Sequence, residues 1–232
     1  MCSSRTISMI GKENFDLIQS KTVMIIGLGG VGGYACETLI RSGIRKVIIV
    51  DNDKIDDSNI NRQIISTVET IGRRKTDVMK ERLLNINPEA EIITYDIFFC
   101  QDNIEELFSE KIDYVVDAID TINSKVALWK YCLGNNIRII SSLGMARRID
   151  PQKVFITRLD KTENDPMAKV LRSLARKNNM SLDIPVVFSK EKPLESSEEE
   201  RKNLGSMMFV PAVAGIMCGY YIINDIIDIE NK

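Results

Sequence analysis

Asp51, Arg62, Gln63, Lys75 and Asp120 are the residues of this 232-residue chain whose types and spacing best support chemistry. Asp51 closes the apolar run Lys46-Val47-Ile48-Ile49-Val50, about twenty residues beyond a glycine turn, Gly27-Leu28-Gly29-Gly30-Val31-Gly32. The turn follows the β-branched run Val23–Ile26 and leads into the helical pattern Tyr34–Ile40. Strand, glycine turn, helix, strand and terminal acid in that order form a nucleotide site. The turn lets backbone N–H groups approach an anion, and the acid accepts hydrogen bonds from a ribose. Arg62, Gln63 and Lys75 can donate to phosphate oxygens. Asp120, at the end of the buried-strand pattern Ile112–Asp120, is a hard oxygen ligand for Mg²⁺ or its water shell. Taken singly, Arg62 and Lys75 read as surface charges and Asp120 as an N-cap. Their joint placement at strand ends points to a site. A dinucleotide oxidoreductase would leave the polar stretch Asn52–Gln63 without a role. Cleavage of ATP between its α- and β-phosphates uses it, because that reaction needs cations along the triphosphate, a carboxylate for the metal and exclusion of water from an acyl adenylate.

The elements that must carry these residues alternate between strand and helix. A helical pattern over residues 5–20 precedes the first strand. Lys75–Leu84 predicts a helix stopped at Asn87-Pro88, Glu91–Tyr95 a strand, and Asp102–Phe108 a short helix. Ser124–Leu133 predicts a further helix and Ile137–Ser142 a strand. Such alternation predicts an α/β fold: a Rossmann-like, mostly parallel sheet with helices on both faces. Beyond Gly144 the pattern changes to a C-terminal extension. It comprises a hairpin over Ala146–Leu159 about Asp150-Pro151, a basic amphipathic helix Pro166–Lys177, a strand Ile184–Phe188 and a charged stretch Glu191–Asn203. Ser206–Ile227 is nearly uncharged and long enough to span a bilayer. Pro211, Gly215, Gly219 and Asn224 interrupt it, and it reads as a core helix over the sheet, with no stable membrane insertion. The expected organisation is a single domain over 1–232, with a nucleotide-binding core at 1–145 and a substrate-side extension at 146–232.

Composition removes several alternatives. Hydrophobic residues make up 44% and charged residues 28%, which suits a soluble globular protein, and the net charge of −2 gives no global basic footprint for nucleic acid. Histidine is absent, so no Ser-His or Cys-His hydrolytic centre and no His-containing metal site exists. The five cysteines, at 2, 36, 100, 132 and 218, form no C-x-x-C pair, and neither a disulfide framework nor a zinc site is expected. Cys36, Cys132 and Cys218 read as buried structural thiols. The N-terminus lacks the apolar core of a signal peptide, from which a cytoplasmic location is expected.

Taken together, Gly27-x-Gly29-Gly30-x-Gly32, Asp51-x-Asp53, Asn59-x-x-Arg62-Gln63, Gly72-x-x-Lys75 and Asp117-x-x-Asp120 resemble the ThiF/MoeB/ubiquitin-activating family of enzymes, which adenylate a carboxylate with MgATP. The motif set spans roughly residues 5–145. The resemblance implies that Asp51, with Asp53 in the same motif, holds the ribose side. It implies that the glycine turn approaches the α-phosphate, that Asn59, Arg62, Gln63 and Lys75 line the triphosphate, and that Asp120 serves the metal. Arg5, in Arg5-Thr-Ile-Ser-Met-Ile-Gly11, aligns with an arginine that reaches the partner subunit's ATP site in that family. A homodimer with composite sites is implied.

The sulfur-carrier activators of the family commonly carry two C-x-x-C pairs, and the ubiquitin-like activators a cysteine in the loop after the core. Leu143–Met217 contains no cysteine. A subgroup lacking both features, the tRNA threonylcarbamoyladenosine dehydratases, is similar over essentially the whole chain. The likeness includes Asp117-Ala118-Ile119-Asp120 with Lys125, Ile149-Asp150-Pro151, Asp165-Pro166 and the stretch Gly205–Gly219. It implies activation of the carboxylate of threonylcarbamoyladenosine in tRNA and cyclisation with loss of AMP. A monovalent cation is a further candidate cofactor, and a cysteine desulfurase or sulfur acceptor a further candidate partner. The basic residues expected to meet tRNA are Arg147, Arg148, Lys153, Arg158, Lys169, Arg172, Arg176 and Lys177. Competing readings are an adenylating enzyme for a ubiquitin-like or sulfur-carrier C-terminus, and a nucleotide-binding partner without turnover in a sulfur relay.

Overall fold

The computed structural model describes residues 4–195 and 205–228. The N-terminal helical pattern is two helices, α1 (Ser4–Ile10) and α2 (Lys12–Gln19), because Gly11 between them has φ +83° and breaks the run. The first βαβ unit follows as β1 (Thr22–Ile26), α3 (Gly32–Ser42) and β2 (Lys46–Val50). Next come α4 (Lys75–Ile86), β3 (Glu91–Tyr95), α5 (Ile104–Leu107), β4 (Tyr114–Asp117), α6 (Ile122–Gly134) and β5 (Arg138–Ser142). The C-terminal part adds β6 (Val154–Arg158), α7 (Pro166–Lys177), β7 (Pro185–Ser189) and α8 (Phe209–Ile227).

The seven strands of the described residues lie in one sheet, in the order β3-β2-β1-β4-β5-β7-β6, so the strands on either side of residue 145 are continuous with one another. Six are parallel, and β6 alone runs antiparallel, against β7. The expected hairpin over Ala146–Leu159 is absent. Asp150 accepts from the Gln152 N–H and starts a single 3₁₀ turn at Pro151–Lys153, after which β6 pairs with Pro185–Ser189, far along the chain. The turn signal at Asp150-Pro151 was real, but it caps a turn rather than folding one strand onto its neighbour.

Side chains of β1 and β2 alternate between two cores, as the period of two requires. Val23, Ile25, Val47 and Ile49 face α3, α4 and α8, while Met24, Ile26, Ile48 and Val50 face the side covered by α6 and α7. The helix α8 is long and apolar enough to cross a membrane by length and composition, and over half of its most apolar window is buried in the fold. It lies directly on α3. A Cβ at Gly215 would fall 2.2 Å from the Val31 carbonyl oxygen, and one at Gly219 2.6 Å from Thr38 Cγ2, so only glycine lets the two helices touch. The expected core helix is therefore found, and the two glycines that interrupt its apolar run are its contact points.

Candidate functional site

The sheet reverses its winding between β1 and β4, and a ligand crevice forms where strands diverge in this way at their carboxyl ends. A cavity of about 730 Å³ opens there, and it gathers Gly27, Gly29, Gly30, Asp51, Asp53, Asn59, Arg62, Gln63, Lys75 and Asp120. Residues predicted across ninety positions of sequence thus meet in one pocket. Two candidates do not line it. Gly32 begins α3 just behind the turn, and Arg5 is exposed on α1, away from its own chain's pocket.

The glycine turn is shaped by close approach. Gly27 has φ +93°, and a Cβ there would lie 2.6 Å from the Ala118 carbonyl oxygen; one at Gly32 would lie 1.7 Å from the Gly27 carbonyl oxygen. Gly29 differs, with nothing within 4 Å of a Cβ, so its backbone faces the open cavity. Gly32→Ala is therefore expected to force the turn open and lower the melting temperature. Gly29→Ala should fold normally but place a methyl group in the path of the nucleotide. Thermal melting and calorimetric nucleotide titration separate these outcomes, and a Gly29→Ala protein that binds nucleotide like the parent would place the ligand elsewhere.

Asp51 is tied into this turn. Its Oδ2 accepts the Leu28 N–H at 2.6 Å and its Oδ1 the Asp53 N–H at 2.8 Å, with Lys75 Nζ 3.9 Å away. Burial raises its pKa, and the Lys75 charge with the two N–H donors opposes that rise. Lys75, itself buried, donates to Asp53 Oδ2 at 2.7 Å. The expected phosphate-binding lysine is held against two carboxylates at the pocket wall. Asn59 caps its own 3₁₀ turn by accepting the Asp56 N–H at 3.2 Å. Arg62 donates to the Ser58 carbonyl at 2.7 Å and to Asn61 Oδ1 at 3.0 Å. Gln63 is buried and its Oε1 has no partner, a polar atom that a bound ligand or its hydration shell would satisfy.

The strand expected to reach Asp120 ends at Asp117. Asp120 lies in the following loop, exposed, at the pocket edge, with a 3.2 Å bond from Thr121 Oγ1, and it does not cap α6, whose N-cap position is Thr121. Its partner in the motif, Asp117, has a different task. It is fully buried and accepts from Lys125 Nζ (2.8 Å), Trp129 Nε1 (2.8 Å), Ser141 Oγ (2.6 Å) and the Ile119 N–H (3.1 Å). The last of these bonds fixes the loop that carries Asp120.

Sequence reasoning missed part of the wall. Ile97, Phe98 and Phe99 line the pocket after β3, with Phe98 about half exposed, and Leu143, Met145 and Met167 line the side near β5 and α7. The apolar triplet that follows Asp96 was the available signal. Arg148, expected on the surface, is buried: it donates to the carbonyls of Gly144, Asn164 and Glu191 and pairs with Asp165 at 3.3 Å. Asp165 also caps α7 by accepting the Ala168 N–H at 2.9 Å. The pair braces the pocket wall, since Gly144 and Met167 both line it. Among the described residues no group of three or more His, Cys, Asp or Glu side chains is arranged to hold a metal alone.

Comparison with known proteins agrees with this geometry. The ThiF family model matches residues 2–229. A tRNA threonylcarbamoyladenosine dehydratase of Bacillus subtilis is 40% identical over 99% of this chain and 96% of that protein. Its Escherichia coli counterpart is 35% identical over 80% of this chain and 72% of that protein. The crystal structure of E. coli TcdA in complex with ATP superposes with a TM-score of 0.91 at 30% identity, covering 98% of this chain and 94% of that one; TcdA has also been solved with AMP.

Proposed function

Because this chain belongs to the ThiF family, and within it to the tRNA threonylcarbamoyladenosine dehydratases, we propose that it activates the carboxylate of threonylcarbamoyladenosine in tRNA with ATP and closes it into a ring. The observation that carries this reading is the single pocket joining the glycine turn, Asp51, Arg62, Gln63, Lys75 and Asp120. In the first step a carboxylate oxygen attacks the α-phosphorus and pyrophosphate leaves. In the second a nucleophile of the same nucleoside attacks the activated carbonyl and AMP departs with the former carboxylate oxygen. The product is lighter than the substrate by one water.

The residues divide the work. Gly29 gives the α-phosphate access to backbone, Asp51 takes the ribose, and Arg62, Gln63 and Lys75 meet the phosphate oxygens, with Asn59 and Asp53 holding their neighbours in place. Asp120, a carboxylate at the pocket edge, would hold Mg²⁺ together with oxygens of phosphate and water, a donor type that suits this hard cation. The metal would supply charge neutralisation at the phosphates. An internal nucleophile needs no enzyme thiol, since proximity supplies the attack. No cysteine among the described residues lines the pocket; burial pushes Cys36 and Cys132 well up and Cys218 up to about 12. Replacing Cys36, Cys100, Cys132 or Cys218 singly with Ala should leave kcat unchanged in a steady-state assay. Loss of kcat at any of them, with the fold intact, would revive thiol transfer.

We read the chain as one adenylation domain working as a cytoplasmic homodimer. Support for the dimer comes from α8, where Phe209, Ile216 and Tyr220 are exposed along one side at seam-like spacing, and from Arg5, which stands outside its own pocket. Mixing inactive Arg5→Ala and Asp120→Ala subunits should then restore activity in exchanged heterodimers; no recovery would assign Arg5 to its own chain.

The direct test is mass spectrometry of tRNA nucleosides after incubation with modified tRNA and MgATP. Loss of one water from threonylcarbamoyladenosine, with AMP formed, is the expected result. No change, with ATP bound, would turn attention to Gly-Gly-ended carrier proteins and pyrophosphate exchange.

A further inference from the structure

The eight basic residues offered by the sequence for tRNA contact do not share one surface, and the sheet topology sorts them. β6 runs against β7, so the residue before β6 and the residues after β7 lie at the carboxyl end of the parallel strands, where the pocket opens. Lys153, Lys190 and Lys192 occupy those places and are all exposed. The Lys190 N–H donates to the Lys153 carbonyl at 3.0 Å, and the Lys190 carbonyl accepts from Asn164 Nδ2 at 3.3 Å, so the two lysines flank the start of α7. Lys190 Nζ sits 4.6 Å from the centre of the Phe155 ring, which directs its charge along this edge. Lys169, exposed on the first turn of α7, adds to the rim two residues beyond the pocket-lining Met167.

The acids of the rim are largely occupied. Glu191 accepts the N–H groups of Ile149 (3.0 Å) and Asp150 (2.8 Å), Asp165 is buried against Arg148, and Asp150 caps a turn while pairing with Lys153 at 3.3 Å. That last pair is exposed and yields readily to a phosphate. Among the described residues on this side of the pocket, Glu163 and Glu195 remain as exposed acids.

Five of the other six candidates are elsewhere or engaged. Arg148 is buried, Arg172 is turned into Thr162, and Arg158 pairs with Asp183 at 2.8 Å at the amino end of the sheet. Arg176 and Lys177 close α7 roughly 15 Å along the helix from its pocket end.

Resting on the dehydratase reading, we propose that the tRNA backbone crosses the carboxyl-end rim at Lys153, Lys190 and Lys192, and that this seats the modified nucleoside in the half of the pocket lined by Leu143, Met145 and Met167. The basic far end of α7 is outside the footprint.

The test compares full-chain Lys153→Gln/Lys190→Gln/Lys192→Gln with Arg176→Gln/Lys177→Gln. Fluorescence anisotropy against a modified tRNA over a salt series gives Kd, and nucleoside mass spectrometry gives KM and kcat. The rim variant should weaken tRNA binding about tenfold or more and flatten the salt dependence by about one logarithmic slope unit per lost phosphate contact. KM for tRNA should rise with kcat little changed, ATP binding without tRNA should match the parent, and the far-end variant should behave as parent. A rim variant that binds tRNA like the parent, or a loss confined to the far-end variant, overturns the proposal even where the parent dehydrates tRNA. A parent that binds tRNA through the rim lysines without converting the nucleoside overturns the dehydratase reading and leaves the rim standing. A parent that does not bind tRNA at all overturns both.

Discussion

Asp120→Ala is expected to lower dehydratase turnover by about 10²–10³-fold, the scale of losing one preorganised charge-stabilising group, without changing the melting temperature. The two halves of this expectation come from separate observations. The carboxylate lies at the pocket edge beside the glycine turn, where, on the proposed reading, Mg²⁺ on a triphosphate would need an oxygen ligand. Among the described residues its one side-chain bond is the 3.2 Å contact with Thr121, on an exposed loop, and surface changes of that kind usually alter stability by less than about 0.5 kcal/mol. Single-turnover mass spectrometry alongside thermal melting checks both. An unchanged rate would remove the metal role from Asp120, and a large fall in melting temperature would recast it as a structural residue.

Asp117→Ala, three residues earlier, should do the reverse. It removes the counter-charge of a lysine with no exposure and leaves the Trp129 and Ser141 donors without their acceptor. Breaking one side of a buried pair costs about 3–5 kcal/mol, against a total stability of roughly 5–15 kcal/mol for a domain. Urea denaturation should show a large fall in midpoint, or the protein should fail to accumulate in soluble form. Combining Asp117→Leu with Lys125→Met, which removes both charges, should recover part of the loss. A parent-like midpoint in Asp117→Ala would mean that Lys125 finds another acceptor. The motif Asp117-x-x-Asp120 therefore joins a buried anchor to an exposed carboxylate at the pocket edge.

That division was hidden in the sequence. Both acids follow the same apolar run, and only burial distinguishes them. The strands were readable because β-branched runs ended at turns and acids, and Glu91–Tyr95 was placed without error. The pocket residues were readable because each follows the carboxyl end of a strand, which topology brings together. The part after Gly144 was harder. Asp150-Pro151 starts a turn in any context, and whether the next strand pairs locally or with β7 depends on contacts about thirty residues away. Arg148 and Arg147 are adjacent and chemically equal in sequence; the fold buries the first to brace Gly144 and Asp165. The charged stretch expected at Glu191–Asn203 lies, beyond Glu195, outside the described residues.

The contact of α8 with the glycine turn has a consequence for synthesis of the protein. A Cβ on Gly30 would lie 3.1 Å from Pro211 Cβ, Ser206 and Pro211 line the pocket, and Asn61 donates to the Ser206 carbonyl at 2.8 Å. The turn is made well before Ser206 and Pro211, the residues that cover it. While the chain is emerging, the nucleotide turn and the apolar flank of α3 stay uncovered, and such exposure favours association with other chains. Nucleotide binding then becomes a property of a chain on which α8 has docked: ATP protects only such a chain, and a nascent chain ending before Ser206 has a Rossmann half without a closed binding site.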